Sequence, residues 1–135
     1  MKGRYLFKAK RIDNGEWVTG HYVKGLDIYA KEVHLIFEPT TIFYSSGETD
    51  GWSEVDPSTI CQCTGLKDKN GNLIWENDVV KINNSKVNAL ITFRDFEIIC
   101  TIPSEKYYKH RLEYDTEYEV VGNIFDDKEL LESEG

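Results

Sequence analysis

Apolar and polar residues alternate with a period of two along much of this chain, the spacing of half-buried β-strands. Residues 4–11 place Tyr5, Phe7 and Ala9 on one face and Lys8 and Lys10 on the other. Asp13-Asn14-Gly15 follows, a hairpin signal because Asn and Gly tolerate positive φ, and residues 16–23 read as the return strand. Gly25 marks a turn. The short apolar runs 33–37 and 41–44 predict two strands on either side of Pro39. The Gly/Ser/Asp-rich stretch 45–53 reads as a loop carrying Trp52 and as the best candidate for a mobile segment.

Further on, Asp56-Pro57-Ser58 punctuates the chain and residues 59–64 predict a strand. A turn at 67–71 leads into Asn72–Trp75, and a second turn at 76–78 into Val79–Ile82. After a turn at 83–85, residues 86–93 alternate with Val87, Ala89, Ile91 and Phe93 on one face. Residues 96–102 do the same with Phe96, Ile98, Cys100 and Ile102, and Arg94-Asp95 is read as a bulge or tight reversal. Residues 105–114 give no clear assignment. Glu117–Val121 predicts a strand, Gly122-Asn123 a turn or bulge, and Asp127–Glu132 a short helix capped by Asp126 or Asp127 with Glu129 in its first turn. The expected fold is mostly β: small antiparallel sheets or a partly open barrel with a short C-terminal helix. Residues 1–135 read as one domain, with two β lobes near 1–56 and 57–135 as the alternative.

Composition narrows the class. Tyr 8, Phe 6 and Trp 3 add to the β-branched residues that favour pleated surfaces. No apolar run approaches the ~20 residues that span a bilayer, and Met1–Tyr5 has no apolar segment behind its charges, so no secretory signal and no membrane partner are expected. Three cysteines, Cys61, Cys63 and Cys100, do not make a disulfide framework. Reduced thiols and a cytoplasmic location are the simpler expectation.

The net charge of -8 is uneven. Residues 1–112 carry 15 basic and 15 acidic side chains, whereas residues 113–135 carry 9 acidic and one basic. The first eleven residues hold five basic groups and no acidic ones. An acidic total disfavours a surface that tracks duplex phosphates, which needs several converging cations.

One stretch is specific beyond its periodicity. Gly65-Leu66-Lys67-Asp68-Lys69-Asn70-Gly71, followed by Ile74-Trp75-Glu76-Asn77-Asp78-Val79-Val80, resembles the "TGLKDKNG" hairpin and "EGDIV" strand entry of the YopX-like proteins of phages and prophages in Gram-positive bacteria. Phe7–Val18 resembles that family's opening hairpin, and Tyr118–Phe125 its closing "VIGNIYE" segment. Asn77 stands where the family usually has Gly, and Cys63 where an aromatic residue is common. The resemblance implies a mostly-β fold with a small SH3-like barrel. It brings no catalytic residues.

The candidate chemistry is thin. Gly65, Asp68, Asn70, Gly71, Asp78, Gly122 and Asn123 read as scaffold, with Asn70-Gly71 supplying left-handed turn positions and Asp78 bonding backbone N–H groups at a strand entry. Cys61-x-Cys63 puts two thiols on one strand face. With Cys100 and a histidine they could hold zinc, but the spacing is not C-x₂₋₄-C, and small core residues are the better reading. His21, His34 and His110 are far apart, and no Ser/His/Asp or Cys/His arrangement emerges. Asp126-Asp127-x-Glu129 is explained by helix capping more simply than by a divalent metal. No phosphate loop or dinucleotide fingerprint is present. No cofactor, no metal and no enzymatic activity are expected.

What remains points to binding. Trp52, Tyr107, Tyr108 and Tyr114 lie outside the clearest core strands and are candidate interface anchors. The expected role is a non-enzymatic protein-interaction module that binds a host or phage protein, or itself. The alternative is a nucleic-acid-binding barrel that stacks bases on aromatics near Lys2, Arg4, Lys8, Lys10 and Arg11.

Overall fold

The computed structural model describes residues 5–43, 49–83, 87–94, 97–102, 109–111 and 116–131. Its elements are strands β1 (Phe7–Lys10), β2 (Trp17–Leu26), β3 (Glu32–Phe43), β4 (Thr49–Glu54), β5 (Cys61–Lys67), β6 (Leu73–Trp75), β7 (Asp78–Ile82), β8 (Asn88–Arg94), β9 (Glu97–Thr101), β10 (Lys109–Arg111) and β11 (Tyr118–Asn123). Two 3₁₀ turns, Pro57–Thr59 and Lys128–Leu131, complete the described elements. Every pairing is antiparallel. One sheet runs β4-β3-β2-β1-β5-β6 and the other β10-β9-β8-β7-β11. Among the described residues neither closes into a barrel, so the SH3-like part of the expectation gains no support.

The chain divides into two compact units, Arg4–Gln62 and Cys63–Gly135. The boundary falls inside β5. Its first residues, Cys61 and Gln62, pair with β1, and its later part, from Cys63 to Lys67, pairs with β6.

In the N-terminal unit, Ala9, Val18, Ile36 and Val55 are buried together, with Phe7, Tyr22 and Ile60 packed against them. Register explains the selection. Ala9 stands opposite Val18 and Phe7 opposite Gly20, while Tyr22 opposes Ile36 and Ile36 opposes Ser53, so all of them share the inward face. A Cβ on Gly20 would overlap the Phe37 carbonyl, so only glycine lets β3 approach β2 there. An isolated bridge joins Arg11 to Val55 and brings the end of β1 to the end of β4. The Asp56 N–H donates to the Lys10 carbonyl (2.9 Å), and the Lys10 N–H to Thr59 Oγ1 (2.8 Å).

In the C-terminal unit the core is larger: Ile74, Val80, Ala89, Ile91, Cys100, Ile102 and Tyr118, flanked by Leu66, Ile82, Ile98 and Val120. The alternation read from the sequence buries Ala89, Ile91, Cys100 and Ile102 on one side, while Val87, just before β8, is exposed.

Several expectations change. The runs flanking Pro39 are one strand, β3, whose register with β4 shifts between Phe37 and Ile42; a proline without an N–H belongs at such an irregularity. Residues 49–53 of the expected loop lie in β4, so Trp52 is a strand residue opposite Phe37. Pairing with an apolar strand outweighs the poor local propensity of Gly, Ser and Asp. The C-terminal helix is a 3₁₀ turn. Asp127 does not cap it through its side chain, which instead accepts the Asn123 N–H (3.2 Å).

Candidate functional site

Seven of the eight large apolar side chains exposed among the described residues lie in the N-terminal unit: Tyr5, Ile12, Val23, Leu26, Ile28, Tyr29 and Trp52. The eighth is Val87. Two places gather them.

The first is the β2–β3 tip. Asp27 Oδ1 accepts the N–H of Tyr29 (2.8 Å) and of Lys31 (2.9 Å). Its backbone N–H donates to the Lys31 carbonyl, and its carbonyl accepts the Ala30 N–H. Ala30 closes the turn with φ +61, a left-handed conformation unfavourable for a residue with a Cβ. Leu26, Ile28 and Tyr29 stand out from this tip at 70%, 90% and 84% exposure. The turn is held by its own polar groups, so the two apolar side chains at its apex do no packing within the described fold.

The second is a cleft of about 340 Å³ lined by Arg11, Ile12, Asp13, Trp52, Ser53 and Glu54. Trp52 is 47% exposed and walls this cleft rather than lying as a lid over the core. The Ile12 N–H donates to the Glu54 carbonyl and fixes the two walls (3.0 Å). Arg11 donates to both carboxylate oxygens of Asp13 (Nε–Oδ1 3.0 Å, Nη2–Oδ2 2.8 Å). That fork holds the Asp13 carboxyl below its ordinary range and pushes the Arg11 guanidinium up. Arg11 is therefore neutralised locally.

The outward face of the N-terminal sheet also follows from register. Lys8 opposes Thr19, Lys10 opposes Trp17, His21 opposes Phe37, and Phe37 opposes Trp52. Both Lys8 (4.7 Å) and Lys10 (5.4 Å) set their ammonium groups over the Trp17 ring.

The signature residues of the C-terminal unit build a different kind of place. Buried Asp68 accepts three backbone N–H groups: Asn70 (2.9 Å) and Asn72 (2.9 Å) on Oδ1, and Val120 (3.0 Å) on Oδ2. Burial pushes its carboxyl up, but the donors from Val120, Asn72 and Asn70 outweigh burial and leave it below the ordinary range. Gly71 (φ +82) takes the left-handed position, and so does Gly65 (φ +82) on β5. Asn70 does not, which corrects the expectation for that pair. Asn77 adopts φ +72 where the resemblance expects glycine. Buried Asp78 accepts the Trp75 N–H (2.8 Å). Gly122 sits at the bulge of β11, where a Cβ would fall 2.5 Å from Asp127 Oδ2. Asn123 Oδ1 accepts the N–H groups of Phe125 and Asp126 (both 2.9 Å). This set is scaffold chemistry: side chains closing turns.

A family model described as YopX protein matches residues 6–132. The chain belongs to the YopX family. No curated protein matches it.

In this YopX-family chain Cys61, Cys63 and Cys100 are buried and form no disulfide. Cys100 lies in the C-terminal core, where burial pushes its thiol up to about 12. The Cys61 thiol faces the Thr59 carbonyl (3.3 Å), and Cys63 Sγ accepts the Gly65 N–H (3.4 Å). Among the described residues no three His, Cys, Asp or Glu side chains are grouped to hold a metal ion, and no helix is long and apolar enough to cross a membrane.

One polar chain escaped the sequence reading. The Tyr22 hydroxyl lies 2.6 Å from His34 Nδ1, and His34 Nε2 lies 3.1 Å from Glu32, which also pairs with Lys24 (3.2 Å). A carboxylate only accepts, so in the neutral ring Nε2 carries the proton and Nδ1 accepts the phenolic O–H. The Lys24 hydrogen bond, and after it His34, hold Glu32 below its ordinary range. The alternation of β2 and β3 could have signalled these cross-strand neighbours, because Lys24 pairs with His34. The side chains of His110 and the structure of Tyr107, Tyr108 and Tyr114 lie outside the described residues.

Proposed function

We propose that this YopX-family chain is a phage or prophage accessory protein that acts without catalysis in the host cytoplasm, by binding protein through its N-terminal unit. The observation that carries this reading is the β2–β3 tip. Ile28 and Tyr29 are displayed at 90% and 84% exposure on a turn locked by Asp27. Pre-organised apolar anchors of this kind lose little freedom on docking and carry binding energy at interfaces. The family resemblance supports the phage origin.

A second reading has its own support. Lys8, Lys10 and Trp17 share the outward sheet face with Phe37 and Trp52, and cations beside aromatics on a strand face suit single-stranded nucleic acid. Duplex binding is disfavoured by the charge count.

A photo-crosslinking residue at position 29 or 52, with position 87 as control, tests the first reading in the intact protein inside host cells. Protein adducts specific to 29 and 52 support it. No adducts there, together with salt-sensitive binding of a single-stranded oligonucleotide lost in Lys8→Glu, would replace it with the second.

A further inference from the structure

The N-terminal unit carries an apolar knob and, apart from it, a cleft in whose mostly polar lining Ile12 and Trp52 are the apolar members. Trp52, on the cleft wall, stands opposite Phe37 of β3, and the tip ends at Lys31. Four to six residues of continuous strand separate the tip from the β3 positions opposite Glu54 and Trp52, about 13–20 Å at ~3.3 Å per residue. A paired strand does not fold back over that distance, so the knob of one molecule stays out of its own cleft.

We propose that the occupant of the cleft is the β2–β3 tip of a second copy of this chain. This deepens the interaction reading above and rests on it.

Three features argue for a second copy. The first is size. At about 340 Å³ the cleft is at the lower end of small-molecule pockets, and Ile12 and Trp52 of its lining offer apolar surface to an incoming side chain. The tip offers Tyr29 beside Ile28, an aromatic with a polar end and an aliphatic, both without an intramolecular packing role among the described residues. The second is charge. Arg11 and Asp13 cancel each other at the cleft, which leaves the exposed Glu54 carboxylate on its rim. Exposed Lys31 stands at the foot of the tip, and Lys24 and Glu32 beside it are paired with each other. Docking the tip sets Lys31 against Glu54, one cation for one carboxylate, which fixes register more than affinity.

The third feature is symmetry. Knob and cleft lie apart along β3, and in a two-fold pair each copy's tip would meet the other's cleft, so that the proposed contact closes rather than running on. Each contact engages four large side chains, Ile28 and Tyr29 against Ile12 and Trp52. Ile12 and Trp52 are already about half covered within one copy, so the two contacts together bury less than ~1,200 Å², the range of weak, transient interfaces. A contact of that size makes a weak, reversible pair.

The strain at Ala30 fits this picture. The turn keeps a residue with a Cβ at φ +61 and displays its apex outward; a pre-set apex loses little entropy when it docks.

Sedimentation velocity of the full chain from about 5 to 200 µM suits a weak, reversible interface and should show a concentration-dependent monomer–dimer exchange. Tyr29→Asp and Trp52→Asp should each be monomeric with an unchanged far-ultraviolet spectrum. An equimolar mixture of the two should associate measurably more than either variant alone and less than wild type, because one of the two contacts then joins an intact knob to an intact cleft. Glu54→Lys should weaken the dimer several-fold, and adding Lys31→Glu should restore it. A wild-type protein that stays monomeric throughout, or a dimer indifferent to Tyr29→Asp, overturns the proposal. If the protein is monomeric and position 29 still crosslinks to another protein in cells, the self-association is wrong while the interaction reading survives. If neither occurs, both fall.

Discussion

The hairpins at Asp27 and Asp68 share one backbone plan and serve opposite ends. In each, the aspartate carboxylate accepts the N–H groups two and four residues on. In each, the aspartate N–H donates to the carbonyl four residues on, and its carbonyl accepts from the residue three on. The left-handed residue is Ala30 in one and Gly71 in the other. The Asp68 turn adds a long-range bond from Val120, and its apex residues are Lys69 and Asn70. Among the described residues the Asp27 turn has only its local bonds, and its apex residues are Ile28 and Tyr29. Where the turn is tied into a core, its exposed positions are polar and its strained position is glycine. Where it projects from the sheet, large apolar residues occupy positions from which folding gains nothing. The difference separates a turn that stabilises the fold from one that displays a surface.

Removing the carboxylates breaks the comparison most strongly. Asp68→Ala leaves three N–H groups unpaired, one of them from a partly buried strand, and should destabilise by about 3–4 kcal/mol. Asp27→Ala frees donors that water can reach, and should cost about 1 kcal/mol. Urea denaturation of both variants measures the contrast; equal losses would mean that the Val120 bond contributes little.

Acid gives a related, smaller effect. The folded Asp68 carboxyl lies below its ordinary value, so its contribution is fully present above the unfolded value of about 3.9 and is lost as pH falls through the folded value. The melting temperature should therefore drop on acidification below about pH 4. In Asp68→Asn that part of the slope should be missing.

Much of this contrast is hidden in the sequence. Asn70-Gly71 announces its turn through residue type, and the alternation in 86–93 and 96–102 announces β8 and β9. Ile28-Tyr29-Ala30 contains no turn former, so the sequence sets the turn at Gly25, which instead pairs with Val33 inside β2. Trp52 is masked by Gly51, Ser53 and Asp50, because its strand character comes from pairing with β3 and not from its neighbours in sequence. Leu130 and Leu131 look like a helix face, but the segment makes only one 3₁₀ turn, and the Asp127 side chain is engaged by Asn123. The Tyr22–His34–Glu32 chain is a product of register, which no single strand reveals.

Exchanging the left-handed residues sharpens the comparison further. Gly71→Val should lower stability by about 2 kcal/mol, since a β-branched residue is forced to positive φ. A Cβ there meets no atom within 4 Å, so the loss expected is conformational. Ala30→Gly should do the opposite and raise stability by up to about 1 kcal/mol. Thermal melts of the two variants should move in opposite directions.

The smallest effect is the most diagnostic of display. Ile28→Ser and Tyr29→Ser should change unfolding free energy by less than about 0.5 kcal/mol, the range of surface substitutions without a structural role. A larger loss would show that the tip packs on its own fold.

The order of synthesis gives the β7–β11 pairing a further consequence. The hairpins β1–β2, β2–β3 and β3–β4 join sequence neighbours, and the bridge from Arg11 reaches only Val55. The N-terminal unit can therefore assemble once about half the chain has left the ribosome. The partner of Val80 is Val120, and the third donor to Asp68 is also Val120. Until that residue emerges, β7 has one bare edge and Asp68 is under-coordinated. A strand edge waiting for its partner invites the wrong one, so slow translation between residues 82 and 118 should expose this protein to aggregation more than a pause anywhere in its first sixty residues.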